Sequence, residues 1–152
     1  QAAHRMGMVD DPANATRETP ATPILGMIAP AQDYWNVLGN RWVRAEECDF
    51  VTRLMFMQQM HKTYAGTSTV CTGVASKLPG TIVYEMARQE CQERLATFFG
   101  HPGGVIETEA KVELDGNTWR AARATVARTA RRIMEGYVFV PSWAEHLEIA
   151  AE

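Results

Sequence analysis

The sequence predicts an α+β domain in which one buried helix packs among strands, and three observations carry that prediction. Residues Thr67–Leu78 are small or apolar on nearly every side, so a helix there is buried all round rather than amphipathic. Beyond Thr81 the chain reads mostly as strand. Leu95–Phe99, Val105–Leu114 and Tyr137–Val140 are β-like, with Asp115-Gly116 as a hairpin turn between two of them. The chain has 152 residues, 46% hydrophobic and 22% charged, which suits one domain with its own core.

The elements follow in order. Gln1–Met8 reads as the stub of a helix, and the polar stretch Asp10–Pro23, with Pro12, Pro20 and Pro23, as a linker or loop. Residues 1–23 are thus expected to end a preceding segment, and 24–152 to form the folded part. The chain opens at Gln1 without a methionine and is expected to be a piece of something longer. Ile24–Ala29, stopped by Pro30, predicts a buried strand. Ala31–Asn40 is irregular, with Tyr34, Trp35 and a turn at Gly39-Asn40. Ala45–Met60 predicts a helix. Glu46, Glu47 and Asp49 crowd its first turn, and Val51, Leu54, Met55 and Gln58 give a 3.6-period face. Its methionines read as gap-filling core rather than as a cofactor or partner groove. Trp119–Met134 stays open. Its Ala/Arg content and the spacing of Val126, Ala130, Ile133 and Met134 favour a helix, but alternation along the same residues suits a strand.

Several function classes fall on composition. No run approaches the roughly 18 apolar residues of a membrane span, and Gln1–Asp11 holds no secretory core. Cys48, Cys71 and Cys91 lack metal-type spacing, so neither a disulfide framework nor a metal site is expected, and the expected compartment is a reducing cytoplasm. A net charge of −3 gives no reason to expect nucleic acid or an anionic membrane as partner.

Four features bear on chemistry. The helix opening Gly66-Thr67-Ser68-Thr69 gathers unpaired N–H groups and hydroxyls at one end, which suits a carboxylate or phosphate; simple capping by a hydroxyl is the competing reading. Five of the twelve arginines lie between Arg120 and Arg132 without an acid among them, a strip for carboxylates or a solvated face. Gly100-His101-Pro102-Gly103-Gly104 is either a tight turn or a loop whose backbone approaches a ligand, with His101 as a titrating or donating group. Cys71, inside the helix among Val70 and Val74, reads as buried packing rather than a reactive thiol. Cys48 and Cys91 receive no role, and His61 stays open between structural and ligand duty. No Ser-His-Asp or paired-carboxylate set assembles from spacing.

Several blocks together resemble the PrpF family. They are His61-Lys62-Thr63-Tyr64-Ala65-Gly66-Thr67, Cys71-Thr72-Gly73-Val74-Ala75, Leu78-Pro79-Gly80-Thr81, Gly100-His101-Pro102-Gly103-Gly104 and Arg128-Thr129-Ala130-Arg131, then Met134-Glu135-Gly136-Tyr137-Val138 up to Pro141. Arg5-Met6-Gly7, Ala29-Pro30 and Asp33-Tyr34 are also similar, and family members usually carry serine where Gly103 stands. The resemblance implies a cofactor-independent isomerase that shifts a proton, in an allylic or a cis/trans isomerisation, in an unsaturated tricarboxylate such as 2-methylaconitate. It also implies the diaminopimelate epimerase-like fold, two lobes that are each a curved, mostly antiparallel sheet wrapped around a central helix. Residues 24–152 would be the C-terminal lobe, with Thr67–Leu78 the central helix and the Ala/Arg stretch a strand. The resemblance places Gly66, Thr67, Ser68, Thr69, His101, Gly103, Arg128 and Arg131 against substrate, and the position of the epimerase's thiol at Gly66 rather than Cys71. The proton-transferring residues would lie largely in an N-terminal lobe that is missing here, its expected partner, and a homodimer is a further possibility. Two other readings remain: a non-catalytic polycarboxylate-binding or assembly module, and a small nucleic-acid binder using the arginine strip.

Overall fold

The computed structural model describes residues 1–141. The N-terminal part holds two one-turn helices, α1 (Ala2–Arg5) and α2 (Ala15–Glu18). Then come β1 (Leu25–Pro30), β2 (Tyr34–Asn36), β3 (Arg41–Val43), β4 (Phe50–Phe56) and β5 (Gln59–Met60). Helices α3 (Gly66–Ala75), α4 (Ile82–Met86) and α5 (Gln89–Glu93) lead to β6 (Ala96–His101), β7 (Gly104–Asp115) and β8 (Thr118–Val126). The main sheet runs β1-β4-β6-β7-β8, with β5 folded back on β4, and β2–β3 is a separate hairpin. All pairs are antiparallel except β4 with β6, which meet in parallel at Phe50↔Phe99 and Val51↔Gly100. The sheet curls around α3, which packs chiefly on β7 and β8. The architecture is the α+β arrangement of a mostly antiparallel sheet around a central helix.

The helix lies close to the sheet because its inward face is small. Thr69, Thr72, Gly73 and Ser76 recur at helical spacing and are buried. A Cβ on Gly73 would lie 2.7 Å from Thr108 Cγ2, so only glycine admits this approach. The hydroxyls that close packing buries are paired. Tyr64 Oη meets Thr72 Oγ1 at 2.9 Å and Thr52 Oγ1 at 3.3 Å, and Ser76 Oγ meets Thr97 Oγ1 at 3.0 Å. Beside this polar seam sits the apolar core of Phe50, Leu54, Tyr64 and Phe99, with Phe50 stacked on Phe99 at 5.5 Å.

Four expectations are corrected. Ala45–Met60 is not a helix: a 3-10 turn, Ala45–Glu47, leads into strand β4. The acids that suggest a helix start serve this single turn and the sheet beside it. The Glu47 side chain accepts from the Arg44 N–H at 2.8 Å, and Asp49 accepts from the Phe98 N–H at 2.8 Å and from Arg94. Once β1 and β6 flank the segment, Phe50, Thr52 and Leu54 pack inward with the strand period, and pairing overrides the helical pattern. Met57 and Gln58 close the β4–β5 hairpin with φ of 49° and 63°, a turn usually announced by Asn-Gly and here by no such residue. Second, β1 is a strand but not a buried one, since Leu25 and Met27 are exposed at the sheet edge. Third, Tyr137–Val140 has no ladder partner among the described residues and is exposed; an apolar run alone does not make a strand. The Ala/Arg stretch is strand to Val126 and irregular after it.

The fourth correction is Cys71. It is exposed on the outer side of α3, whereas Cys48 and Cys91 are buried, because the buried face is the hydroxyl–glycine face and not the apolar one. A thiol reagent applied to the native chain is therefore expected to modify Cys71 first. Peptide mapping should find Cys48 and Cys91 labelled only after unfolding, and equal labelling of all three would contradict this placement.

None of the helices among the described residues is long and apolar enough to cross a membrane.

Candidate functional site

The N-terminal end of α3 is built by the segment that leads into it. Thr63 donates its N–H to His61 Nδ1 at 3.1 Å, Tyr64 enters the core, and Ala65 takes the cap position in an extended conformation. No side chain caps the helix, so the hydroxyl-cap alternative does not describe it. The first-turn amides of Gly66, Thr67 and Ser68 are left without intrahelical acceptors, at the positive end of the helix dipole.

Arg128, 62 positions on in the chain, lies across this turn. A Cβ on Gly66 would collide with Arg128 Nη2 and lie 3.1 Å from its Cζ, so the guanidinium occupies the space that any side chain at 66 would need. Arg128 belongs to none of the ion pairs among the described residues. The guanidinium of Arg128, an exposed residue, thus faces a positive helix end, an arrangement that a bound anion stabilises and that carboxylate geometry fits.

The other expected residues are placed as follows. Thr67 is exposed and Ser68 half-buried on the same turn. Thr69 is 1% exposed and its hydroxyl donates to the Ala65 carbonyl at 3.1 Å, so it faces the core. Arg131 is exposed in the irregular segment after β8. The arginine strip is divided: Arg123 binds Glu109 through two nitrogens at 2.6 and 2.9 Å, and Arg132 binds Glu135 at 3.1 Å. It is not one basic face.

His101 and Gly103 sit on the β6–β7 turn. The turn packs on Thr63, for a Cβ on Gly103 would lie 3.0 Å from His101 Cε1 and 3.2 Å from Thr63 Cγ2. Burial holds the His101 imidazole down to about 4, helped by the charges of Arg53 and His61 and opposed by its bond to the Thr63 backbone. It is neutral at physiological pH. The folded state therefore binds its proton less readily than the unfolded chain, whose histidine titrates near 6.5. Stability is expected to be undiminished by this group above pH 6.5 and to fall as pH drops from there toward 4. Denaturant midpoints at pH 7 and pH 5 for wild type and His101→Gln check this; an equal pH dependence in both proteins would remove His101 as the cause.

Spacing gave no sign of two further contributors. Tyr34 lies over Gly100, where a Cβ would be 2.7 Å from its Cε1, and its hydroxyl donates to the Gly104 carbonyl beneath the turn. Burial pushes its phenol up to about 12, and the Arg53 guanidinium stacks 4.7 Å from its ring centre. The block Asp33-Tyr34 in the family resemblance was its only signal. Thr63, second, stands in the block His61–Thr67, but no pattern shows that the turn closes on it. Beside the helix, Ser68, Cys71, Thr72 and Ala75 line an open, mostly apolar cleft of about 580 Å³ with β1 and α4 residues. Among the described residues no three His, Cys, Asp or Glu side chains gather in a way that could hold a metal ion.

Known proteins are similar to this chain in sequence and fold. The chain is 43% identical over 136 residues to 3-methylitaconate isomerase of Eubacterium barkeri, an alignment covering 90% of this chain and 34% of that protein. It is 34% identical over 141 residues to 2-methyl-aconitate isomerase of Shewanella oneidensis, covering 91% of this chain and 34% of that one. A crystal structure of methylitaconate-delta-isomerase superposes with a TM-score of 0.76 at 37% identity, covering 99% of this chain and 38% of that chain. The chain spans about a third of the length of the curated relatives it matches. The family profile described as PrpF protein matches residues 1–141, and the chain belongs to that family.

Proposed function

We propose that this chain supplies the carboxylate-holding side of an isomerase active site, in a protein that moves a proton within an unsaturated di- or tricarboxylate of the methylitaconate and 2-methylaconitate kind. The Arg128 guanidinium lying on the uncapped first turn of α3 carries this reading. Residues 24–141 act as one lobe, and the partner is the N-terminal lobe that faces it. One substrate carboxylate would sit between Arg128 and the amides of Gly66, Thr67 and Ser68, with the Thr67 hydroxyl and the exposed Arg131 close enough in sequence to assist.

The chemistry asks for no redox change. One allylic C–H bond breaks, the electron pair delocalises toward the held carboxylate as an enolate-like charge, and a proton returns at the other end of the three-carbon system. Preorganised N–H donors and a guanidinium stabilise that charge as it develops and need not reorganise to do so. The groups that take and return the proton belong to the second lobe. No cofactor is called on. Free thiols at Cys48, Cys71 and Cys91 suit the reducing cytoplasm that this reading assigns.

Proton NMR in D2O tests the reading. The protein that carries this chain is expected to wash deuterium into the allylic positions of methylitaconate or 2-methylaconitate while isomerising it. Absence of both exchange and isomerisation with both acids would overturn it.

A further inference from the structure

We propose that Lys77 and Cys91 form an oxidative modification site, where hydrogen peroxide joins Lys77 Nζ to Cys91 Sγ in a sulfenamide that thiols reverse. The bridge would tie the chain leaving α3 to α5. The inference is independent of the isomerase reading and uses neither Arg128 nor the first turn of α3.

Cys91 is fully buried in α5, but its surroundings are polar. Lys77 Nζ lies 3.5 Å from its sulfur, Thr97 Oγ1 3.4 Å and Ser76 Oγ 3.8 Å. The nitrogen is held there, because the backbone carbonyls of Cys91, Arg94 and Ala96 accept from it, the last two at 2.7 and 3.2 Å. An amine and a thiol 14 positions apart in the chain thus stand in hydrogen-bond contact. Lys77 also lines an open cleft of about 410 Å³ with Tyr84, Gln92 and Arg94. A molecule as small as peroxide can enter there and reach the nitrogen and the sulfur beside it. Burial pushes the Lys77 ammonium's pKa down, which makes the free amine easier to reach than in an exposed lysine.

The step balances with one peroxide. Lys77 Nζ takes the thiol proton as Sγ attacks a peroxide oxygen. The O–O bond breaks, the released hydroxide takes that proton away as water, and Cys91 becomes a sulfenic acid. The Nζ lone pair then attacks the sulfur. The S–O bond breaks, and the hydroxide leaves as a second water with a proton from the nitrogen. One S–N bond has formed, two hydrogens are lost, the sulfur is oxidised by two electrons and the peroxide is reduced.

Trypsin reads the bridge in two ways, because a lysine substituted on its nitrogen is no longer a cleavage site. The folded protein that carries this chain is treated with hydrogen peroxide, its free thiols are blocked in denaturant, and it is digested. The expected product is Thr63–Arg88 joined to Gln89–Arg94, two hydrogens lighter than the sum of its parts, methionine oxidation aside, with cleavage after Lys77 lost in the same molecules. Dithiothreitol should restore Thr63–Lys77, Leu78–Arg88 and Gln89–Arg94 as separate peptides. Recovery of Cys91 as a free thiol, a sulfinic acid or a disulfide to Cys48 or Cys71, with Lys77 cleaved as before, would overturn the proposal. Loss of two hydrogens within Gln89–Arg94 alone also overturns it, since that marks closure on a backbone nitrogen. Peroxide added in urea should leave the peptides apart, and equal joining there would show chance encounter instead of a built pair. Cys91→Ser is expected to keep cleavage after Lys77 under peroxide; its loss in that variant means that the lysine reacts without the sulfur, and the bridge is overturned. Should Cys91→Ser not fold, the wild-type peptide map decides alone.

Discussion

Alanine at Gly66 is expected to lower kcat/KM about 10²-fold in the protein that carries this chain, the usual cost of removing one preorganised donor to developing charge. The new methyl would take the space of the Arg128 guanidinium. That group is the free end of a long side chain, so the collision is relieved by the arginine moving away and not by the helix unfolding. Alanine is also the better helix former, so thermal stability should hold or rise slightly. Loss of activity without loss of stability separates a displaced functional group from general damage. Arg128→Ala should cost a similar factor, and the double variant little more than either single one, because both remove the same guanidinium from the same place. Steady-state kinetics with thermal melts of the three variants check this. Additive losses, or full activity in Gly66→Ala, would separate Arg128 from the helix turn as a functional pair.

Lys77 is expected to dominate stability in the same way that Arg128 dominates the site. It is 8% exposed, and its ammonium donates to the backbone carbonyls of Cys91, Arg94 at 2.7 Å and Ala96 at 3.2 Å. The first two carbonyls belong to α5 and the chain leaving it, the third to the first residue of β6, so one side chain at the end of α3 closes three segments. Burial pushes the ammonium's pKa down, while the neighbouring Cys91 sulfur and these carbonyls favour the charge. Lys77→Met keeps the aliphatic stem and removes the charge, leaving carbonyls without donors. A loss of about 3 kcal/mol is expected, since a hydrogen bond to a charged group is worth about 1.5–3 kcal/mol and the carbonyls of Cys91 and Arg94 lose their donor. That is a large share of the 5–15 kcal/mol typical of a domain. Denaturant unfolding measures it, and a loss below about 1 kcal/mol, the worth of one ordinary hydrogen bond, would show that water replaces the ammonium.

Arg128 and Lys77 differ in how far each could be read in advance. Arg128 stood out in an acid-free run of arginines and in a family-like block, but its partner Gly66 is 62 residues away, and no periodicity connects them. Lys77 carried no signal at all. A lone lysine near a helix end is ordinarily solvated, and only the return of the chain through α5 and β6 encloses it. Thr63 and Tyr34 were invisible as supports of the glycine turn for the same reason: their contacts cross between segments far apart in sequence.

The sequence by itself determined what short-range chemistry can specify. A run of small and hydroxyl residues makes a helix that can approach a sheet closely, Asp115-Gly116 turns one strand into the next, and the motif blocks mark the family. Tertiary structure decided the rest. It made Phe50–Phe56 a strand because β1 and β6 lie on either side, although the residues also fit a helical period. It turned the glycine–hydroxyl face of α3 inward and Cys71 outward, because close packing against Thr108 tolerates no larger side chain at Gly73. It also brought Arg128 onto Gly66. Periodicity reports which residues share a face, but what covers that face depends on contacts that local sequence does not encode.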